Sequence, residues 1–214
     1  TQKYSGHLID PKDWNDIIKD KNTKVIDVRN IFEIEIGKFE GSLDPKTRSF
    51  REFPEKFNKM NIRKDNRIAM YCTGGIRCEK ASAYLRKNGY KDVVQLNGGI
   101  LNYIETHKVN KNDSLWQGEC FVFDGRVTVD NQLLQGQYSQ CFGCRRPITF
   151  SDKKSKKYIK GISCPHCYNE RSDYQKKRSS DRQRQIDESN KNKIKHNFKN
   201  IGIDEYFQMK KKIL

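Results

Sequence analysis

Short apolar runs recur through the first hundred residues, each followed by a more polar, helix-prone stretch. Lys24-Val-Ile-Asp-Val28, Arg67-Ile-Ala-Met-Tyr71 and Val93-Val-Gln-Leu96 are too short for amphipathic helices and read as strands. His7–Lys24 reads as an amphipathic opening: Asp10 stands before Pro11 as a helix cap, and Trp14, Ile17 and Ile18 form the apolar stripe. Ile31–Ile36 alternates apolar and acidic residues, residues 37–45 read as loop, and a short helix is predicted around Pro54–Met60. Cys78–Asn88 is a helix stopped by Asn88-Gly89, and Asn97-Gly-Gly99 is a turn before a helix over Ile100–Thr106. Strands alternating with helices imply an α/β domain with a mainly parallel sheet. Sites in such sheets form beyond the carboxyl ends of strands. Asp27-Val-Arg29 and Cys72 both fall at such ends.

The pattern changes after residue 112. Cys120–Phe123 and Arg126–Val129 read as two strands joined by an Asp124-Gly125 turn. From Tyr168 to Asn200 the chain is polar and basic, compatible with a marginal helix or a mobile arm. The predicted organisation is therefore an α/β domain over 1–112, a β-hairpin extension over 113–140, a small cysteine module over 141–168 and a basic arm over 169–214.

Charge sharpens this division. The chain has 214 residues and a net charge of +16. From Cys141 onward 20 Lys/Arg stand against 8 Asp/Glu, net +12, whereas the first 140 residues carry 23 against 19, net +4. So lopsided a distribution points to an anionic partner, a nucleic acid above all. No apolar run is long enough for a membrane span and no signal-peptide pattern is present, so no membrane partner is expected. Seven cysteines, an odd number that includes two Cys-x-x-Cys pairs, suit a reducing, cytoplasmic setting with catalytic or metal-binding thiols.

The chemistry concentrates in Cys72-Thr-Gly-Gly-Ile-Arg-Cys78. A cysteine between a strand and a helix faces backbone N–H groups that lack intrahelical partners. Gly74 and Gly75 let that backbone curl into an anion-binding nest, and Arg77 adds positive charge, so the Cys72 thiol should ionise readily. Cys78 reads either as a partner that resolves an oxidised or persulfidated Cys72, or as a small core residue. Cys120, on an apolar strand, reads as core. Asp27 and Arg29 read as scaffold, with Asp27 accepting backbone N–H bonds that shape the cysteine loop. Cys141-Phe-Gly-Cys144 and Cys164-Pro-His-Cys167 have the spacing of a four-thiolate structural zinc site. Around them Arg145, Arg146, Lys153, Lys154, Lys156, Lys157 and Lys160, interleaved with Phe150 and Tyr158, suit phosphates and exposed bases. No Gly-x-Gly-x-x-Gly fingerprint for a flavin or nicotinamide cofactor and no His-His-carboxylate set for iron occurs.

Asp27-Val-Arg29, the Gly37 to Gly41 loop, Cys72-x-x-Gly75-x-Arg77 and Leu96-x-Gly98-Gly99 together resemble a rhodanese domain. Phe50-Arg-Glu-Phe-Pro54, the run Cys72–Ala81, Trp116-x-Gly-x-Cys-Phe-Val-Phe-Asp124-x-Arg-Val127 and the paired Cys-x-x-Cys motifs narrow the resemblance to the bacterial tRNA uridine hydroxylases. It runs to about Tyr168. It implies oxygen-dependent hydroxylation of the wobble uridine of tRNA at C5, giving 5-hydroxyuridine, with Cys72 as the position that forms a persulfide. Catalysis then falls to Cys72, Arg77 and Cys78, substrate binding to Gly74, Gly75, Arg145 and Arg146, and zinc to Cys141, Cys144, Cys164 and Cys167. Members of the family carry a further small domain upstream, which this chain, beginning at Thr1, is expected to lack. Two residues depart from ordinary rhodaneses: Lys38 replaces a histidine and Cys78 a serine. The competing expectations are a sulfurtransferase that carries sulfane sulfur on Cys72, and a zinc-ribbon RNA-binding module fused to an inactive rhodanese fold.

Overall fold

A computed structural model describes residues 6–109 and 113–192, which fall into two compact units. The first holds the chain to Val122 together with Val129–Gln135, and the second holds Phe123–Thr128 and the chain from Gly136 on.

The first unit is built on four parallel strands: β1 (His7–Ile9), β2 (Thr23–Asp27), β4 (Arg67–Tyr71) and β5 (Val93–Leu96), in the order β1-β5-β4-β2. The three strands read from the sequence are all there. The fourth, β1, was hidden in the segment read as an amphipathic opening, because three residues carry no periodicity. The helix of that opening, α1, spans only Trp14–Lys19, with Asp13 at its cap; Asp10 instead accepts the Lys12 N–H in a tight turn. The alternating stretch after β2 is a helix, α2 (Ile31–Ile34), and the segment read as loop begins with a strand, β3 (Gly37–Phe39). After a helical turn at Phe50–Glu52 follow α3 (Phe53–Asn58), then α4 (Ile76–Lys87) and α5 (Gly99–His107).

β3 pairs antiparallel with β6 (Trp116–Gly118), with Gly37 opposite Gly118. A Cβ at Gly37 would come within 2.3 Å of the Glu119 carbonyl and one at Gly118 within 2.3 Å of the Ile36 carbonyl, so the pairing demands glycine on both strands. It also buries Phe39 among Trp14, Tyr71, Tyr103 and Trp116, with ring centroids 4.8 to 6.2 Å apart. Such edge-on aromatic pairs add about 0.5–1.5 kcal/mol each beyond the area they bury. Lys38, between two buried residues, points to solvent opposite Gln117. A second apolar cluster lies around α3 and α4, where Phe53, Phe57 and Tyr90 pack with Ile68, Met70, Leu85, Cys72 and Cys78.

Short strands β7 (Cys120–Phe121) and β8 (Thr128–Val129) end sooner than the sequence suggests. Asp124 accepts the Arg126 N–H and pairs with its guanidinium, and Val127 takes a positive φ of 69°, so the turn is wider than a two-residue Asp-Gly hairpin.

In the second unit β9 (Ser139–Gln140) pairs antiparallel with β10 (Pro147–Ile148), followed by α6 (Phe150–Lys154) and the long α7 (Asp173–Lys191). The stretch that composition left as marginal helix or arm is thus helical over 173–191, started by a Ser172/Gln175 capping box. Residues 193–214 of the predicted arm lie outside the described residues. No helix among the described residues is long and apolar enough to cross a membrane.

Candidate functional site

Cys72 is the first residue after β4, and Gly75 caps the helix that follows it, taking the left-handed conformation (φ 91°). The Gly75 N–H points at the Cys72 sulfur, 3.2 Å away. Cys72 is only 1% exposed, which by itself disfavours a charged sulfur. The thiol is nevertheless held down to about 6, chiefly by a hydrogen bond from the Cys78 thiol, then against burial by the Arg77 charge and the backbone N–H groups of Cys78 and Arg77. Cys78 is pushed well up by its complete burial and by the sulfur it serves. Cys78 thus lies in the core, with its thiol donating to the Cys72 sulfur. Cys120 is buried too and pushed up to about 12, chiefly by that burial.

The loop is held from behind by the Leu96-x-Gly98-Gly99 motif. Ile100 and Leu101, at the start of α5, donate their N–H groups to the carbonyls of Cys72 (2.9 Å) and Thr73 (3.1 Å). These are donors that a helix start leaves without internal partners. A Cβ on Gly99 would lie 2.4 Å from the Cys72 carbonyl, so only glycine allows this approach.

Arg77 does more than face the thiolate. It forms a two-pronged ion pair with Glu33, 2.7 Å on each arm, and donates to the Thr73 hydroxyl at 3.2 Å. Glu33 is fully buried and also accepts the Asn30 N–H at 3.1 Å. Sequence reasoning missed Glu33, although Asn30-x-x-Glu33 is the pattern of a helix capping box. Asp27 and Arg29 are scaffold, but for another segment than expected. Asp27 accepts the Arg29 N–H and pairs with its buried guanidinium at 2.6 Å, and that guanidinium reaches the carbonyls of Glu33 and Gly37. The pair thus shapes residues 33–37, from which Glu33 meets Arg77. A thiolate at the floor of such a nest can attack an electrophilic carbon or sulfur, or carry sulfur as a persulfide.

In the second unit, the ligand atoms of Cys141, Cys144, Cys164 and Cys167 all lie within 4.8 Å of one another. The sulfurs of Cys144 and Cys167 are each 3.8 Å from that of Cys164. Four sulfurs at about 2.3 Å from a tetrahedral zinc lie about 3.8 Å apart, so the cluster fits a metal ion of that kind. All seven cysteines are free thiols. Arg146 is occupied with the His166 carbonyl and Glu170, whereas Arg145 is exposed, over the ring of Phe142. Arg171 and Arg182 reach back from the α7 segment to the carbonyls of Gly143, Phe142 and Gly161, tying the helix to the cysteine loops.

A parallel sheet with a cysteine nest at its carboxyl edge defines the first unit as a rhodanese-like domain, and the rhodanese-like domain family matches residues 10–106. The chain as a whole is 51% identical over 196 residues to the tRNA uridine(34) hydroxylase of Pelagibacter ubique (strain HTCC1062), covering 92% of this chain and 64% of that longer protein. Solved structures similar to it include a rhodanese-related protein from Thermoplasma volcanium, 27% identical, which matches 47% of this chain and 92% of its own at a TM-score of 0.38. A rhodanese-like domain protein from Staphylococcus aureus, 23% identical, matches 45% of this chain and 90% of its own at 0.39.

Proposed function

We propose that the protein is a cytoplasmic tRNA-modifying enzyme that hydroxylates C5 of the wobble uridine, with molecular oxygen as co-substrate. The observation that carries this reading is the 51% identity to a tRNA uridine(34) hydroxylase, extending over both units of the chain. Cys72, Arg77 and Cys78 serve as the catalytic group, and Gly74 and Gly75 admit the base to the nest. An anticodon loop is single-stranded, so its wobble base can enter without the opening of a duplex. Arg145 and Arg146 belong to the tRNA-binding unit; Arg145 offers an exposed charge, and Arg146 steadies the loop of Cys167. Zinc on Cys141, Cys144, Cys164 and Cys167 would hold together a unit with little apolar core of its own.

The reaction consumes two electrons and two protons as one oxygen atom enters C5 and the other leaves as water. The Cys72 thiolate and Cys78 thiol together hold both electrons and one of the protons, and solvent supplies the other. Cys72 and Cys78 deliver the electrons by becoming a disulfide, which a cellular dithiol then reduces. Seven free thiols suit a compartment where such reductants abound. The test is nucleoside mass analysis of tRNA from a deletion host that carries the full-length gene. The wild type restores the mass of one added oxygen and Cys72→Ser does not. Normal 5-hydroxyuridine from Cys72→Ser would refute the assignment, and a lost sulfur in the deletion host would favour sulfur transfer instead.

A further inference from the structure

The second unit carries a groove of about 520 Å³ along α7, walled by Arg171, Arg178 and Arg182 together with Ser179 and Asp181. Two of these guanidinium groups are fixed in place by the protein. Arg182 donates to the carbonyls of Phe142 and Gly161, each at 3.0 Å. Arg171 donates to the carbonyls of Gly143 and Gln175 and to the Ser179 hydroxyl, yet its Nε is buried with no hydrogen-bond partner among the described residues. Such an orphaned charged donor is costly to leave unmatched. The positive charges also crowd one another: burial first, then Arg145 and Arg171, hold Arg182 below the usual guanidinium range. Asp181 is the acidic residue of the wall, and its carboxylate lies 3.6 Å from Arg184.

Aromatic rings stand beside these charges. Tyr174 is 70% exposed with Arg178 over its face at 5.8 Å, and Phe142 is 40% exposed with Arg145 over it at 5.6 Å. Fixed guanidinium groups grip phosphate, and open rings accept stacked bases. A polymer that alternates phosphates with flat bases satisfies both demands.

We propose that Arg171, Arg178 and Arg182, with Arg145, form a phosphate-backbone site for single-stranded RNA, and that Tyr174 stacks on a base beside it. That the RNA is tRNA rests on the function proposed above; the site itself does not. α7 is then both the clamp on the cysteine loops and the surface that holds the substrate.

The test is binding of fluorescently labelled tRNA to the full-length protein, followed by anisotropy across a salt series. All variants are made on a Cys72→Ser background, so that binding is scored without turnover and a failed hydroxylase reading leaves this result interpretable. Arg178 is exposed and, among the described residues, makes no hydrogen bond or ion pair to the cysteine loops, so Arg178→Ala should melt like its parent. It should weaken binding about five- to tenfold and lower the slope of log Kd against log salt by about 0.7, the share of one phosphate contact on a single strand. Tyr174→Ala should weaken binding about fivefold or more with the slope unchanged, as loss of stacking requires. Lys21→Ala, which removes an exposed cation of the first unit, is the charge-matched control. An equal loss in Lys21→Ala and Arg178→Ala, or an unchanged slope in Arg178→Ala, would overturn the proposal. So would polyglutamate displacing the tRNA at matched charge, which would mark the groove as a site for acidic proteins.

Discussion

The chain holds two cysteine clusters that solve opposite electrostatic problems. At Cys72 a single negative sulfur is supported wholly by the protein: the Cys78 thiol, the Arg77 charge and the backbone N–H groups of α4. At Cys141, Cys144, Cys164 and Cys167 four sulfurs crowd within 4.8 Å, so the backbone N–H groups of their loops, such as that of Cys164 at 3.4 Å from the Cys167 sulfur, must serve four potential charges and not one. There Cys141 is held down to about 5, chiefly by Cys144, while Cys144 is pushed up by the same contact and Cys164 to about 12 by burial. The first site tolerates one charge without help. The second can hold four only when a cation joins them, which is what separates a reactive thiol from a structural one.

The difference can be broken from either side. The largest effect is expected in the second unit. Cys164→Ser, or prolonged treatment with a strong chelator, should unfold it, because the zinc site proposed above would contribute roughly 10 kcal/mol or more of folding free energy. Loss of α7 helicity by circular dichroism, with Cys72 reactivity retained, is the expected result; an unchanged spectrum after complete demetallation would remove the contrast. A smaller loss is expected in the first unit. Glu33→Gln breaks a buried ion pair and should cost about 3 kcal/mol in denaturant unfolding. With Glu33 neutral, the Arg77 charge acts on Cys72 unopposed, so the thiol should also alkylate at lower pH than in the wild type.

The smallest and most pointed change is Cys78→Ala. Removing the main support of the thiolate should move the inflection of Cys72 alkylation against pH upward from about 6 by roughly one to two units. An unmoved inflection would mean that Arg77 and the backbone suffice alone. The sign for stability follows from the lowered thiol. Because Cys72 ionises more easily folded than unfolded, its contribution is complete above the ordinary thiol range and is lost as pH falls through about 6. Cys78→Ala should flatten that dependence.

What could be read in the sequence follows from how local each signal is. β2, β4, β5 and the cysteine nest were legible because each rests on a few adjacent residues. The zinc-type spacing was legible for the same reason. α2 was not: Ile31-Phe-Glu-Ile alternates like a strand, which masked the Asn30/Glu33 capping box, and the partner that Glu33 meets, Arg77, lies 44 residues away. β3 was lost because Gly37 and Lys38 look like loop residues until Gly118 supplies a partner across the strand. Arg171 and Arg182 looked like part of a charged arm, since nothing local shows that they are bound to the cysteine-loop carbonyls. The domain was visible in short-range order, and its charge balance was hidden in long-range pairs.

The N–H groups of Ile100 and Leu101 bear on how a substrate reaches the sulfur. Swinging the Cys72 loop aside would strip two donors from α5 and orphan two carbonyls, at about 1–3 kcal/mol for each group left unmatched. The loop is therefore an aperture of set width and not a door. Whatever reaches the sulfur must then fit a fixed opening on the side of Gly74, where nothing lies within 4 Å of an added Cβ.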